Sequence, residues 1–160
     1  MTLEITKINN NHIQELMELF GFIEHDEDAK NFFYPHPFTY QHASFIANNV
    51  EKDIYVLAKY NSKILSYGML RGWDEGYQVP SLGIYVVQES RSIGLGKFML
   101  EYLHLSAKLR GAISVRLKVH RNNERALRLY QKIGYKFDLD SEEHNPQILG
   151  QYIFPKYLYI

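Results

Sequence analysis

Two glycines and two cations lie together in the stretch RSIGLGKFML, residues 91–100, where a predicted strand gives way to a predicted helix. The first amides of a helix have no acceptor within the helix, and the helix dipole favours negative charge at that end. Gly94 and Gly96 have no Cβ, so an anion can approach the main chain closely, and Arg91 adds a guanidinium that suits phosphate oxygens. The junction therefore predicts a phosphate or pyrophosphate site.

A glycine pair at such a junction can also do no more than let the chain turn. The stretch lacks the four-residue gap and the Lys-Ser/Thr ending of a Walker sequence, and it lacks the first glycine of the dinucleotide-binding pattern. ATP and NAD are therefore disfavoured as ligands. The choice between an anion site and a plain turn depends on the sequence further along the chain.

A second pattern follows in VHRNNERALRLYQKIGY, residues 119–135. Its spacing, Val119-x-x-x-Asn123-x-x-Ala126-x-x-Leu129-Tyr130-x-x-x-Gly134-Tyr135, and the earlier Arg91-x-x-Gly94-x-Gly96 resemble the two signatures of the GNAT superfamily of acyl-CoA N-acyltransferases. The resemblance is sharp over residues 82–137, and residues 1–52 contribute no motif to it. It implies acetyl-CoA as the cofactor and an N-acetyltransferase that moves an acetyl group to a primary amine of a small molecule or a peptide.

The resemblance assigns cofactor contacts along both motifs. The pyrophosphate of coenzyme A would lie on the main-chain amides of Arg91, Ser92, Ile93, Gly94, Leu95 and Gly96, with the side chains of Ser92 or Lys97 as helpers. The pantetheine arm would pair, as an added strand, with Ile84, Tyr85 and Val86. The Val86 amide would then polarise the acetyl carbonyl, and Asn123 would contact the cofactor from the other side.

The resemblance also places a phenol, Tyr130, near the thioester sulfur, where it would act as general acid toward the leaving thiolate. Its alternative role is that of a core aromatic. The acceptor amine must lose a proton, at a cost of roughly 4 kcal/mol at neutral pH, so a base or a water relay is expected. The candidates are Glu75, Asp74 and His120; the sequence does not rank them, and Glu75 is taken as the catalytic one. Because the chain has no cysteine to carry an acyl group, we expect direct transfer in a ternary complex.

The resemblance implies that two segments wall the acceptor pocket: NFFYPHPF, residues 31–38, and, facing it across the cofactor, RGWDEGY, residues 71–77. Aromatic faces stack on rings or cations, and carboxylates pair with ammonium groups. Amino sugars, polyamines and peptide amines therefore all stay open as acceptors. The predicted acceptor contacts are Tyr34, His36, Trp73 and Asp74.

Hydrophobic periodicity predicts the elements that position these residues. Strands are predicted at residues 3–8, 53–60, 63–72, 82–87 and 114–119, with two short ones at the end, YKFDL and one within ILGQYIF. The predicted helices are one capped by Asn10 or Asn11 and ending near Gly21, one opening near Thr39, one running from beyond Gly96 to Gly111, and one ending at Gly134. Residues 24–38 are predicted as an irregular connection. The expected fold is a mixed α/β sheet with helices on both faces and, from the resemblance, splayed central strands.

Composition is typical of one domain, residues 1–160, with 46% hydrophobic residues to fill a single core. The 18 basic and 18 acidic residues cancel, so neither a nucleic acid nor a membrane surface is expected as a partner. No metal site is predicted, since the spacing of His25, His36 and His42 matches no usual ligand pattern. Without a signal segment or a long apolar run, a soluble cytoplasmic protein is expected.

Two other functions are compatible with the sequence. One is a non-catalytic acyl-CoA sensor whose acceptor side is blocked, and the other is a binding module for a different phosphorylated metabolite. The oligomeric state is open, with a homodimer among the options.

Overall fold

Seven strands form one mixed sheet in the computed structural model, which describes residues 1–139 and 144–156. The strands are β1 Leu3–Lys7, β2 Ile54–Tyr60, β3 Lys63–Arg71, β4 Ser81–Val86, β5 Ser114–His120, β6 Lys136–Phe137 and β7 Gln147–Ile153. Their order across the sheet is β1-β2-β3-β4-β5-β7-β6. β4 and β5 are parallel, and all other neighbours are antiparallel.

Helices cover both faces of this sheet, as the sequence predicts. They are α1 Ile13–Glu24, α2 Ala29–Phe32, α3 Tyr40–Asn49, α4 Leu95–Leu109 and α5 Glu124–Ile133. Because side chains alternate along a strand, Tyr67 and Met69 of β3 pack under α1 and α3, whereas Leu70 packs with α4 and α5 on the other face. Two apolar clusters therefore sandwich the sheet. No helix among the described residues is long and apolar enough to cross a bilayer.

The predicted hairpin between β2 and β3 is confirmed. Asn61 and Ser62 both have positive φ, 51° and 64°, as a two-residue turn between twisted strands requires. The predicted opening of a helix at Thr39 is confirmed too, because its side chain accepts a hydrogen bond from the His42 amide at 3.2 Å.

Four details of these elements differ from the predictions. The first helix does not stop at Gly21 but continues to Glu24, because the buried Ile23 keeps the apolar stripe going. Asn9, rather than Asn10 or Asn11, provides the cap, and it does so for a 3₁₀ turn that leads into α1. The connection over residues 24–38 contains the one-turn helix α2. The predicted YKFDL strand is also shorter in the structure, where β6 spans Lys136–Phe137.

β4 and β5 separate along most of their length. In the described part of the chain they pair at one point, Ser81 with Arg116, where the Arg116 amide also donates to the Pro80 carbonyl at 3.1 Å. Beyond Ser81 the two strands diverge toward their carboxyl ends. The sheet therefore has a wedge-shaped gap, closed at Ser81 and open near Val86, which confirms the splayed strands.

Candidate active site

The β4 edge of the gap presents free main-chain groups. The Val87 amide donates to Leu65 of β3 at 2.9 Å, and in antiparallel pairing the groups of alternate residues point to opposite edges. The amides of Ile84 and Val86 therefore face β5, which does not pair with them within the described residues. This edge can accept an added extended strand, as predicted for Ile84, Tyr85 and Val86.

The glycine junction lies at the open end of the gap, directly after β4. Gly94 precedes α4 with φ of +95°, a conformation that favours glycine, and a Cβ built on it would meet no atom within 4 Å. Across residues 1–139 and 144–156, the amides from Ser92 to Lys97 have no hydrogen-bond acceptor. Six consecutive donors at a helix N-terminus can bind an anion.

The Arg91 side chain is not free for phosphate, contrary to what its type predicts. Its guanidinium pairs with the carboxylate of Asp26, which is 2% exposed, and lies 3.4 Å from the exposed carboxylate of Asp28. Its Nε donates to the Val86 carbonyl at 3.1 Å. Arg91 is therefore neutralised by protein groups, and it occupies one of the main-chain acceptors at the end of β4.

A cation that the sequence analysis did not single out lies on the other side of the junction. Arg125, in the first turn of α5, donates from Nη2 to Ser92 Oγ at 2.5 Å. Both side chains are exposed. Arg125 is two residues after Asn123 in the second motif, so its place in that motif is the signal by which it could have been found.

Asn123 has a structural role of its own. Its Oδ1 accepts a hydrogen bond from the Ala126 amide at 3.3 Å and so caps α5. The capping bond leaves the Nδ2 group of Asn123 for a ligand. The cap therefore orients the residue that the resemblance places against the cofactor.

Tyr130 packs in the cluster beneath α4 and α5 and is 8% exposed. Its ring lies 5.5 Å from that of Tyr135, in an edge-on arrangement. Burial raises the pKa of Tyr130 to about 12, so the phenol keeps its proton at neutral pH. In the described part of the chain its hydroxyl has no hydrogen-bond partner, and it is not among the buried polar atoms that lack a partner, which are Ser66 Oγ and Arg71 Nε.

The neighbourhood of Tyr130 reaches the gap. A Cβ built on Gly96 would lie 3.6 Å from Leu129 and 3.8 Å from Val86, so the start of α4, the middle of α5 and the end of β4 converge there. These are ordinary contact distances. Glycine at position 96 is therefore not demanded by protein packing.

His120 ends β5 and lies on the opposite edge of the gap from Val86. Its Nδ1 accepts a hydrogen bond from the Asn122 amide at 3.1 Å, and its ring is 4.9 Å from the ring of Phe32. A backbone amide can only donate, so in the neutral ring Nε2 carries the proton. In this tautomer the Nδ1 lone pair already accepts from the Asn122 amide, so His120 has no free lone pair with which to take a proton from an amine.

The RGWDEGY loop lies at the closed end of the gap. The Tyr77 ring is 5.3 Å from the guanidinium of Arg116, the residue that pairs with Ser81, and Trp73 stacks at 4.8 Å on Arg110 at the end of α4. The glycine junction lies at the other end of this helix, about 21 Å away at 1.5 Å per residue.

The carboxylate of Asp74 is engaged by the main chain. It accepts hydrogen bonds from the amides of Glu51, Lys52 and Asp53 at 2.8 to 3.2 Å, so it holds the connection between α3 and β2. Slight burial raises the pKa of Asp74, but these three hydrogen bonds lower it by more than burial raises it, so the pKa lies below its ordinary value. The structure thus gives Asp74 and Trp73 structural contacts rather than the predicted free acceptor-binding groups, while Glu75 is exposed.

His36 is buried rather than displayed to a ligand. Its Nδ1 donates to the Pro37 carbonyl at 2.9 Å, so its Nε2 accepts from the Tyr67 hydroxyl at 2.9 Å. Burial lowers the pKa of His36 to about 4, with a further lowering by His42 and Arg71. These bonds fix the NFFYPHPF segment on the sheet, and only Tyr34 of the two predicted contacts in it is exposed, at 71%.

A cavity of about 330 Å³ lies between α1 and the end of β4. Its walls include Phe22, Tyr85 and Val87, and two carboxylates, Glu18 and Glu89, with His25 beside them. Among the described residues, no group of three His, Cys, Asp or Glu side chains is placed to share a metal ion.

Comparison with known families settles the class of the protein. The profile of the acetyltransferase (GNAT) family matches residues 10–135. The chain belongs to the GNAT family. It is an acyltransferase of a family that uses acetyl-CoA, and both signatures noted in the sequence lie within the matched range.

Solved GNAT structures share its fold at low sequence identity. The GNAT domain of PAT from S. lividans superposes with a TM-score of 0.79 and 13% identity over 96% of this chain and 92% of that one. A GNAT acetyltransferase from Streptococcus pneumoniae gives 0.74 and 20% over 96% and 100%. The PaiA N-acetyltransferase from Thermoplasma acidophilum, solved in complex with coenzyme A, gives 0.74 and 18% over the same shares. No curated protein matches the chain at a significant level.

Proposed function

We propose that this GNAT protein is an acetyl-CoA-dependent N-acetyltransferase that transfers the acetyl group directly to a primary amine in a ternary complex. The observation that carries the proposal is the run of six amides from Ser92 to Lys97, which lack an acceptor in the described part of the chain. Such donors beside a helix N-terminus suit a diphosphate. The coenzyme A complex of the similarly folded PaiA enzyme supports the same ligand here.

The residues around the gap fit coenzyme A. The amides of the Ser92–Lys97 run would hold the pyrophosphate, and Arg125 would supply the cation that Arg91 cannot, because Arg91 is already paired with Asp26. The Ile84 and Val86 amides and the Ile84 carbonyl would pair with the pantetheine arm. The Nδ2 group of Asn123 would reach it from the α5 side.

When bound, acetyl-CoA supplies an activated thioester. The Val86 amide is a fixed donor for the oxygen of a carbonyl that gains charge during attack. The Tyr130 hydroxyl, protonated at neutral pH and without a protein partner among the described residues, would give its proton to the departing sulfur. Both groups are held by packed elements, β4 and α5, rather than by loops.

The acceptor ammonium must lose a proton before its nitrogen can attack the thioester. Glu75 stays the predicted base, but it is exposed on a loop at the closed end of the gap, so it would act through a chain of water molecules. The acceptor would approach from the face covered by α1. There Tyr34 is exposed, and Glu18 and Glu89 line the cavity with negative charge that suits an ammonium group.

An amine screen tests the proposal. The protein is mixed with acetyl-CoA and a panel of amino sugars, polyamines and peptides, and release of the free thiol is followed together with mass spectrometry of the products. We expect at least one acetylated amine, formed without an acetylated protein intermediate. Tight coenzyme A binding without any product would instead support the sensor, and failure of coenzyme A to bind would remove the proposal altogether.

A further inference from the structure

The segment between α1 and α3 crosses the open end of the gap. At its start Asp26 contacts the β4 side, where its carboxylate meets Tyr85 and Arg91. At the end of α2, Phe32 contacts the β5 side through the ring of His120. The same stretch of chain therefore touches both edges of the proposed cofactor site and leads into the aromatic segment on the acceptor side.

Asp26 is a buried carboxylate with a full set of donors. It accepts hydrogen bonds from the Tyr85 hydroxyl at 3.0 Å and from the amides of Asp28 and Ala29 at 3.1 and 3.2 Å, in addition to the guanidinium of Arg91. Burial alone raises the pKa of Asp26, but the bonds from Ala29, Arg91 and Tyr85 more than offset it. The group therefore stays ionised in the fold, opposite an ionised Arg91.

Arg91 passes this constraint to the cofactor loop. Its Nε holds the Val86 carbonyl, its guanidinium lies 5.8 Å from the centre of the Tyr85 ring, and its own main chain leads straight into the free amides. Ser92, the next residue, has φ of +67°, a conformation that costs a non-glycine residue free energy unless its surroundings fix it. The pair between Asp26 and Arg91, 65 positions apart, is such a fixed point.

We infer that Asp26 is a positioning residue for the cofactor loop: through Arg91 it holds the amides from Ser92 to Lys97 toward the gap, and it makes this loop and the acceptor-side segment one unit. The inference rests on the proposed function, because it assumes that the loop binds coenzyme A. It assigns Arg91 to the support of the loop and not to the phosphate. It also predicts that the carboxylate acts on cofactor binding without touching the cofactor.

The test uses Asp26→Asn, Arg91→Gln and the double variant, with coenzyme A binding followed by calorimetry on the folded protein. We expect each single change to raise the dissociation constant by about tenfold or more, since each leaves a buried charge without its partner. The dissociation constant of the double variant should be no higher than that of the single variant that binds less tightly, because the two residues act as a pair. The matched control is Asp28→Asn. The Asp28 carboxylate also pairs with the Arg91 guanidinium, but its side chain is 76% exposed, so the dissociation constant should change by less than about twofold.

Several outcomes decide between the alternatives. An unchanged dissociation constant in folded Asp26→Asn, with only a lower melting temperature, shows a purely structural role and overturns the inference. Additive losses in the double variant overturn it as well. Tighter binding in Asp26→Asn would mean that Asp26 masks Arg91 from the phosphate, which also contradicts it.

A gentler variant covers the case in which Asp26→Asn does not fold. Tyr85→Phe removes one hydrogen bond to the Asp26 carboxylate while leaving the ion pair intact. It should weaken coenzyme A binding by about threefold. Wild-type affinity in Tyr85→Phe and Arg91→Gln would overturn the inference. If the unmodified protein itself fails to bind coenzyme A, the proposed function is what fails.

Discussion

At the scale of single residues, burial determines to which groups Tyr130, the proposed general acid, can give its proton. A phenol in water already holds its proton at neutral pH, and burial raises the pKa of Tyr130 to about 12. An acid with so high a pKa delivers its proton only to a group that becomes strongly basic nearby. A thiolate that leaves within an apolar site is such a group.

Tyr130→Phe tests this role. The substitution keeps the ring and removes a hydroxyl without a partner in the described part of the chain, so the free energy of unfolding should change little. Turnover should fall by about 100-fold or more while the affinity for acetyl-CoA stays the same. Steady-state kinetics and calorimetry give the two quantities.

The control for this prediction is Tyr135→Phe, a hydroxyl deletion on the ring beside Tyr130. The Tyr135 hydroxyl is hydrogen-bonded to His104 at 2.6 Å, so this variant should lose stability and keep its turnover. Equal turnover in Tyr130→Phe and the unmodified enzyme would remove Tyr130 from the mechanism.

At the scale of the elements, helix α4 has a glycine with positive φ at each end. Gly94 precedes it with φ of +95° and Gly111 follows it with φ of +83°, and a Cβ on either would meet no atom within 4 Å. The two positions are thus equally strained for another residue. Only Gly94 lies among the main-chain amides from Ser92 to Lys97 that lack an acceptor in the described part of the chain.

Gly94→Asp and Gly111→Asp form a matched pair. Both should destabilise the fold by about 1 kcal/mol, through the same unfavourable backbone conformation. Only Gly94→Asp should abolish coenzyme A binding, because it places a carboxylate where the pyrophosphate is proposed to lie. Calorimetric titration of each variant checks this, and equal affinities in the two would contradict the placement of the site.

The loop at the closed end of the gap carries a separate prediction. Asp74→Asn should lower the free energy of unfolding by about 1 kcal/mol. Asp74 accepts through both oxygens, Oδ1 from the Lys52 amide and Oδ2 from the amides of Glu51 and Asp53, whereas asparagine has one oxygen and an NH2 group that cannot accept. Its neighbour Glu75→Gln should leave stability unchanged and lower turnover if Glu75 feeds a water relay. Urea unfolding and kinetics separate the two effects.

Local pattern predicted the elements well and the contacts between distant elements poorly. The free amides follow from a glycine spacing within six residues, and the hairpin follows from two turn residues, so both can be predicted from nearby sequence. The pairing of Asp26 with Arg91 joins residues 65 positions apart and has no local signal. For the same reason Arg91 was predicted as a phosphate ligand, and His36 and Asp74 as acceptor contacts. The last residue of the predicted YKFDL strand is followed by positions outside the described residues.

At the scale of the whole molecule, one histidine packs on each face of the sheet: His36 is buried and His104 is half-buried. His36 packs under α1 and α3, and His104 of α4 packs against Tyr135 and Tyr152 on the other face. Burial lowers the pKa of each to about 4, from an ordinary value of 6.5. Both are therefore neutral in the folded protein and must take up a proton on unfolding in mild acid.

The sign of the pH dependence follows from these shifts. Each histidine contributes stability that is complete above about pH 6.5 and is lost as the pH falls toward 4, by up to about 3 kcal/mol per group. Urea unfolding at pH 7 and at pH 4.5 should show this loss, and His104→Gln should reduce it. The control is the exposed His144, replaced by glutamine, which should leave the loss of stability between pH 7 and pH 4.5 unchanged. Equal stability at both pH values would contradict the prediction.

Among the described residues β4 and β5 pair at one point, and this has a consequence for how the enzyme responds to the concentration of its acyl donor. The sheet has two hydrogen-bonded parts, β1 to β4 and the three strands β5, β7 and β6, which are joined at this one residue pair. Bound acetyl-CoA would connect the two parts along the length of β4 that β5 leaves unpaired. A ligand held only by the native state adds stability in proportion to the logarithm of its concentration, about 2.7 kcal/mol at 100 times its dissociation constant. The survival of the folded enzyme would then rise and fall with the acyl donor available to it.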